Sequence, residues 1–404
     1  GAVETLLIEE KALSSHAKEI AKALIDSGCE VRADSKVNKV FNGKLKVARE
    51  KDWKRCAQYF CSRPFFLYFA TSDPHRGGGQ DKSSKNKLKP DLFGNKADRQ
   101  SHDGVKEVFY DPQKVPIPAF LPDTSETREE LAQYYQSVSR IDQGVARLIE
   151  ILKEKGLYEK TLIVFTSDHG MAFAGGKTTV YEGGLRVPFI VRNPYEKKRG
   201  VRHQALISHI DITPTLLDFA GALDAKRNRP LHWEDPNKSF PIPKSKAPKD
   251  NRGNIGKLSS YHGKSWLGIL GQAGAQHWES IFASHTFHEI QMYYPMRVYR
   301  DQEYKLIWNI AHPLPYPFAS DLWAASSFQA QYQKSLSAPY GKKTVRQYIH
   351  RPEFEFFRIG EDPDEANNLA GNPKFADQLE EYKEKLKSAQ KHFHDPWVMK
   401  WSYE

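Results

Sequence analysis

Cysteine is scarce in this chain: Cys29, Cys56 and Cys61 are the only three in 404 residues, which excludes a disulfide framework. Cys56 and Cys61 stand too close together to staple much, so core or idle thiols are expected. No apolar run approaches the roughly 20 residues of a membrane span, so no membrane partner is expected. The opening residues, GAVETLLIEEKALSS, hold acids inside their only apolar stretch and do not read as a signal peptide. Acidic residues are also in deficit. The formal charge of +10 favours an acidic partner, although scattered lysines make a solvated basic surface the default. There is no aromatic-basic RNA motif, zinc-finger spacing or heptad run, so nucleic acid is not expected.

What the chain does have is concentrated between Thr161 and Arg192, TLIVFTSDHGMAFAGGKTTVYEGGLRVPFIVR. A β-branched apolar run, Thr161 to Thr166, predicts a buried strand that stops at Ser167-Asp168-His169-Gly170. Two ligand-type side chains then sit at the C-terminal end of a strand, where open α/β sheets collect their sites. Gly175 and Gly176 turn the backbone, Lys177 follows, and Glu182-Gly183-Gly184 precedes Arg186 and a second strand, Val187 to Val191. A carboxylate and an imidazole with a nearby Lys and Arg suit a cation and a bound oxyanion. Phe65 to Ala70 repeats the pattern: a buried strand is expected there, delivered into Asp73-Pro74-His75-Arg76.

The remainder is scaffold. Helices are expected over 13–24 and 53–60, a strand over 29–33, and a hairpin about Asn42-Gly43. A long helix with a Thr127-x-x-Glu130 capping box should end at Gly156 and cover the sheet, with Arg140 and Asp142 a surface pair. A short strand, 205–210, leads to His209-Ile210-Asp211-Ile212-Thr213-Pro214, which reads as helix capping. Residues 222–275 look like a polar surface excursion carrying one glycosylation sequon, Asn237-Lys238-Ser239. Runs at 281–285, 296–300, 303–309 and 354–359 predict an antiparallel sheet, and 375–393 a closing amphipathic helix.

Asp168-His169-Gly170, Lys177 and Glu182-Gly183-Gly184-x-Arg186-Val187-Pro188 together resemble the second half of the sulfatase family, within the alkaline-phosphatase-like superfamily. Asp362-Pro363-Asp364-Glu365 matches the turn that sulfatases place after their last strand. Ser284-His285-Thr286-Phe287-His288-Glu289, Tyr294-Pro295-Met296-Arg297, His394-Asp395-Pro396-Trp397-Val398 and Arg63-Pro64-Phe65-Phe66 look like the sulfamidases of that family. The resemblance implies an α/β fold: an alkaline-phosphatase-like, mainly parallel sheet flanked by helices, plus a smaller C-terminal antiparallel α+β subdomain. The division expected is an atypical segment 1–55, a sulfatase-like domain 56–275 and the subdomain 276–404.

The implied activity is hydrolysis of sulfuric esters or sulfamates of sulfated sugars, with a sulfated saccharide as partner and a homodimer left open. Asp168 and His169 would hold a divalent metal, calcium first, with manganese, magnesium or zinc as alternatives. His75 and Lys177 would serve the reaction, and Arg76, Arg186 and His288 the substrate. A periplasmic, secreted or lysosomal-type location goes with the family. So does a formylglycine made within a C/S-x-P-S-R motif, but that motif is absent here. Cys61-Ser62-Arg63-Pro64 has related letters in the wrong order. The expectation is a truncated or rearranged sulfatase, or a homologue that binds sulfated glycans without turnover. A phosphodiesterase relative sharing only Asp168-His169-Gly170 ranks below both.

Overall fold

The computed structural model describes residues 65–77, 93–96, 99–231, 260–288 and 292–402, and the backbone of two short strands, β1 (Arg32–Ala33) and β2 (Lys46–Val47). The helices expected over 13–24 and 53–60, the Asn42-Gly43 hairpin, the sequon and all three cysteines lie outside these residues. The chain divides into two compact units, residues 1–74 with 139–161, and residues 75–138 with 162–404.

In the smaller unit, β1 and β2 pair parallel, Arg32 opposite Lys46. Phe65 to Ala70 forms no strand, and Phe66, Tyr68 and Phe69 are half exposed. An apolar run becomes a strand only where a neighbour takes its backbone hydrogen bonds. Arg140 does not pair with Asp142 as expected. It is buried and grips both carboxylate oxygens of Asp73, at 2.8 and 3.0 Å.

Helix α1 (Ser125–Glu154) starts in the larger unit and ends in the smaller. Its cap is Thr124, whose Oγ1 accepts the Thr127 amide at 3.2 Å, so Thr127 and Glu130 sit inside the helix rather than forming the expected box. Gly156 takes the left-handed φ of +64° that ends it.

In the larger unit, β3 (Ile163–Thr166) pairs with β4 (Phe189–Arg192) in antiparallel register, Ile163 opposite Arg192. A mainly parallel sheet is therefore not what the described residues of this unit contain. The chain between the two strands holds only a looped turn and the four-residue helix α2 (Glu182–Leu185), and so returns rather than crossing over. Helix α3 (Ile212–Phe219) follows a 3₁₀ turn, His209–Asp211. The expected 205–210 strand is reduced to a single bridge, Leu206 to Trp278. Strands β5 (Leu223–Asp224) and β6 (Arg229–Pro230) make a small hairpin.

The C-terminal antiparallel sheet appears as expected. Strands β7 (Ile281–His288), β8 (Met292–Arg300) and β9 (Tyr304–Asn309) run in order. After α4 (Ser320–Trp323), α5 (Ser326–Tyr332), the β10 (Pro339–Tyr340) and β11 (Lys343–Thr344) hairpin and α6 (Val345–Ile349), β12 (Phe354–Arg358) joins β9. The period-2 alternation of β9 explains why both faces are covered. Tyr304, Leu306 and Trp308 pack with Phe356 against Leu379, Tyr382 and Leu386 of α7 (Ala376–His392). Ile307, on the opposite face, joins Tyr294, Met296, Val298 and Phe357 in the main core.

Candidate functional site

Two glycine runs determine the geometry of the β3–β4 connection. The Gly170 amide donates to Gly184 O at 2.9 Å, and a Cβ on Gly170 would meet Gly183 O at 1.8 Å. A Cβ on Gly184 would lie 2.4 Å from Thr179 O and 2.6 Å from Gly176 O. Backbone packs directly on backbone, which only glycine permits. The Asp-His-Gly and Glu-Gly-Gly motifs are thus two sides of one contact.

Asp168 lies at the tip of β3 with its side chain 83% exposed. One of its oxygens accepts the His169 amide at 3.0 Å. His169 Nδ1 is 2.8 Å from Gly170 O. A carbonyl can only accept, so Nδ1 carries the proton and Nε2 keeps its lone pair, 3.7 Å from the second Asp168 oxygen. Both donors are of metal-binding type and point to one place. However, no group of three or more His, Cys, Asp or Glu side chains suited to a metal occurs among the described residues. A calcium ion takes about 6–8 oxygens. Asp168 and His169 as they stand do not make a calcium site.

Lys177 is 5% exposed, and its Nζ donates to Asp321 of α4 at 2.8 Å. Asp321 was not singled out from the sequence. The next residue, Thr178, is β-branched with φ of +65°, a strained conformation. Tyr316 holds it, donating towards Thr178 O at 2.6 Å and lying 2.8 Å from its Oγ1.

Glu182 anchors the other end of the loop. Arg300 of β8 binds both its oxygens, at 2.9 and 3.1 Å, and Lys305 of β9 binds it at 3.2 Å. Lys305 also pairs with Glu365 at 2.7 Å, and Glu365 accepts the Glu182 amide at 2.6 Å. Burial works against ionisation of Glu182, yet Lys305 and Arg300 hold its carboxyl below the usual range. Burial wins at Glu365 and pushes its carboxyl up despite Lys305. This network joins the Glu-Gly-Gly run to the Asp-Pro-Asp-Glu turn.

The other expected site residues differ in their surroundings. His75 is exposed and has no hydrogen bond or ion pair among the described residues. Arg76, expected at the substrate, is instead 1% exposed. It binds Ala172 O at 2.7 Å and Glu130 at 3.0 Å, and lies between Phe93 and Phe173. A guanidinium enclosed in this way is committed to the fold. Arg186 is exposed just beyond α2, its amide bonded to Glu182 O. His288 ends β7, paired in register with Met292. Nearby His285 is pushed down to about 4 by burial, with Arg351, His288 and Arg297 adding repulsion.

Two further motifs prove architectural. Asp211 is fully buried and accepts from the Ser208 and Lys264 amides at 2.8 and 2.9 Å and from the Trp278 indole at 2.9 Å. Arg297 of the Tyr-Pro-Met-Arg run binds Asp395 of the His-Asp-Pro-Trp run through two bonds of 2.6 and 2.9 Å, buried on both sides.

Comparison with known proteins adds the following. Residues 56–222 match the family profile described as Sulfatase. N-sulphoglucosamine sulphohydrolase of Homo sapiens is 33% identical over 345 residues, 83% of this chain and 62% of the relative. An ulvan-active sulfatase of Formosa agariphila is 23% identical over 340 residues, 80% of this chain and 51% of the relative. A solved protein in complex with its substrate, D-glucosamine-2-N,6-O-disulfate, has a TM-score of 0.44 and 21% identity over 68% of this chain and 44% of its own. The chain thus spans less than two thirds of the length of each.

Proposed function

We propose that the chain is a member of the sulfatase family, whose profile residues 56–222 match, and that it supplies the sulfate-recognising part of a hydrolase acting on sulfated sugars. The bonds in question are sulfuric esters or sulfamates of heparan-type saccharides. The observation that carries this reading is Lys177, held at one position by Asp321 inside a loop whose two ends are pinned by glycine packing and by Glu182. An ammonium has three N–H donors, and Asp321 uses one, which leaves two for sulfuryl oxygens. Fixed donors of this kind stabilise oxyanion charge without reorganising during reaction. His75, exposed, can give a proton to a leaving group, and Arg186 and His288 would contact the sugar. The alkaline-phosphatase-like fold and the division at residues 55 and 275 are part of the same proposal.

Sulfuryl transfer also needs an activated nucleophile in line with the leaving group, and no C/S-x-P-S-R motif occurs in the sequence. The 404 residues are therefore expected to bind sulfated sugar and not to turn it over. The test is calorimetric titration with N-sulfoglucosamine, alongside sulfate-release assays on it and on an aryl sulfate. Lys177→Ala and the double variant Lys177→Ala/Asp321→Asn serve as controls, the second so that no carboxylate is left buried alone. Binding lost in both variants supports the reading. Binding unchanged in both would refute it, and turnover well above the controls would refute the missing nucleophile.

A further inference from the structure

Arg351, between α6 and β12, is 3% exposed, yet no carboxylate pairs with it among the described residues. Its Nε donates to Tyr348 O at 3.1 Å and one Nη to the Met296 sulfur at 3.2 Å. The other Nη has no hydrogen-bond partner among the described residues. What meets the charge is aromatic. The guanidinium carbon lies 3.7 Å from the centre of the Tyr316 ring, 5.0 Å from that of Tyr348 and 5.1 Å from that of Tyr181. Ring faces are negative and attract a cation, most strongly where water is excluded.

Each of these three rings is tied to the Lys177 loop. Tyr316 donates to Thr178 O at 2.6 Å, and the Tyr348 hydroxyl accepts the Gly175 amide at 2.9 Å. Tyr181 belongs to the loop itself, and its hydroxyl donates to Glu355 of β12 at 2.9 Å. One buried cation is thus shared by the groups that hold the chain on both sides of Lys177. The contact at Thr178 matters most, because a β-branched residue at a φ of +65° returns to negative φ unless it is held. Thr178 Oγ1 also donates to Lys177 O at 2.6 Å, so a change at Thr178 moves the Lys177 backbone. Asp321 fixes only the ammonium end of that side chain.

We propose that Arg351 is a positioning residue for Lys177: it touches no sugar, and through Tyr316 and Tyr348 it fixes the backbone from which the ammonium is aimed. The inference rests on the sulfated-sugar reading of Lys177 and adds to it the device that keeps the donor in place.

The test is calorimetry with N-sulfoglucosamine on the full chain, together with urea unfolding of each variant. Arg351→Met should lower stability and weaken binding about tenfold, the scale of the strain released when a non-glycine residue leaves the left-handed region. Tyr316→Phe keeps the ring and removes only the hydroxyl on Thr178, and should weaken binding about fivefold. Thr178→Gly, for which a positive φ costs little, should bind within about twofold of the parent chain. Added to Arg351→Met or Tyr316→Phe, it should bring affinity back to within about threefold of the parent without restoring the stability lost in Arg351→Met. A cation that served packing alone would give no such separation. If Arg351→Met does not fold, Tyr316→Phe decides by the same criteria. Affinity within about twofold of the parent in both variants, or losses that Thr178→Gly leaves in place, would overturn the positioning role and leave the Lys177 reading intact. A parent chain that does not bind, or that Lys177→Ala/Asp321→Asn matches in affinity, would overturn both.

Discussion

Replacing Lys305 by Met probes the network that holds the Glu-Gly-Gly run to the C-terminal sheet. Lys305 is fully buried, 2.7 Å from Glu365 and 3.2 Å from Glu182. Removing one partner of a buried ion pair costs about 3–5 kcal/mol, because the charge left behind stays out of water. Here the loss should fall near about 3 kcal/mol, for two reasons. Glu182 keeps its two bonds from Arg300, and Glu365, whose carboxyl is already pushed up by burial, can take a proton and become neutral. The assay is urea unfolding followed by circular dichroism, with Lys305→Met compared with Lys305→Met/Glu365→Gln. The double variant should recover at least about 1 kcal/mol, since the amide oxygen of Gln can still accept the Glu182 N–H at neutral cost. A single variant within about 1 kcal/mol of the parent chain would refute the reasoning, because a loss that small is what solvent-screened surface pairs show.

Three further outcomes are expected. Binding of sulfated sugar should weaken as salt rises, and Lys177→Ala should cost more than Lys198→Ala, since Lys198 is exposed and screened; equal losses in a titration would mean a diffuse basic surface. His285→Gln should flatten the acid side of the stability profile. The folded imidazole titrates near 4 and the unfolded one near 6.5, so the unfolded state binds more protons in that window and stability falls as pH drops through it, by at most about 3 kcal/mol; an unchanged profile in chemical denaturation would argue against a buried neutral imidazole. Millimolar calcium should raise the melting temperature by no more than about 1 °C, as a ligand near its dissociation constant contributes about 0.4 kcal/mol, and a rise several times larger in a thermal melt would mean that Asp168 and His169 have more help than the described residues give.

Periodicity and local chemistry made much of this molecule legible. The four C-terminal strands, the closing helix and the left-handed stop at Gly156 follow from apolar spacing and glycine placement. The Asp211 segment departs from the expected capping of the helix after it: the Asp211 side chain makes no cap bond to that helix and instead accepts the Ser208 amide across the preceding 3₁₀ turn. Partners distant in sequence could not be read. Arg76, Lys177 and Arg297 were visible as cations, but which acid each meets depends on packing across 54, 144 and 98 residues. Asp321 left no local signal, since an Asp opening a four-residue helix looks like an ordinary turn. The run at 65–70 shows the limit of hydrophobic pattern, which reports what a segment could pair with and not whether the neighbour is there.

The Arg297–Asp395 pair bears on how the chain matures. A ribosome adds about 5–20 residues per second, so Arg297 leaves it some 5–20 seconds before Asp395 exists. Through that interval the β7–β8 hairpin can form its backbone ladder, but its guanidinium has no carboxylate to enter the core with. The sheet should therefore stay open to solvent until synthesis reaches the His-Asp-Pro-Trp segment, and a nascent chain stalled at residue 390 should be far more sensitive to protease than one stalled after release of residue 400.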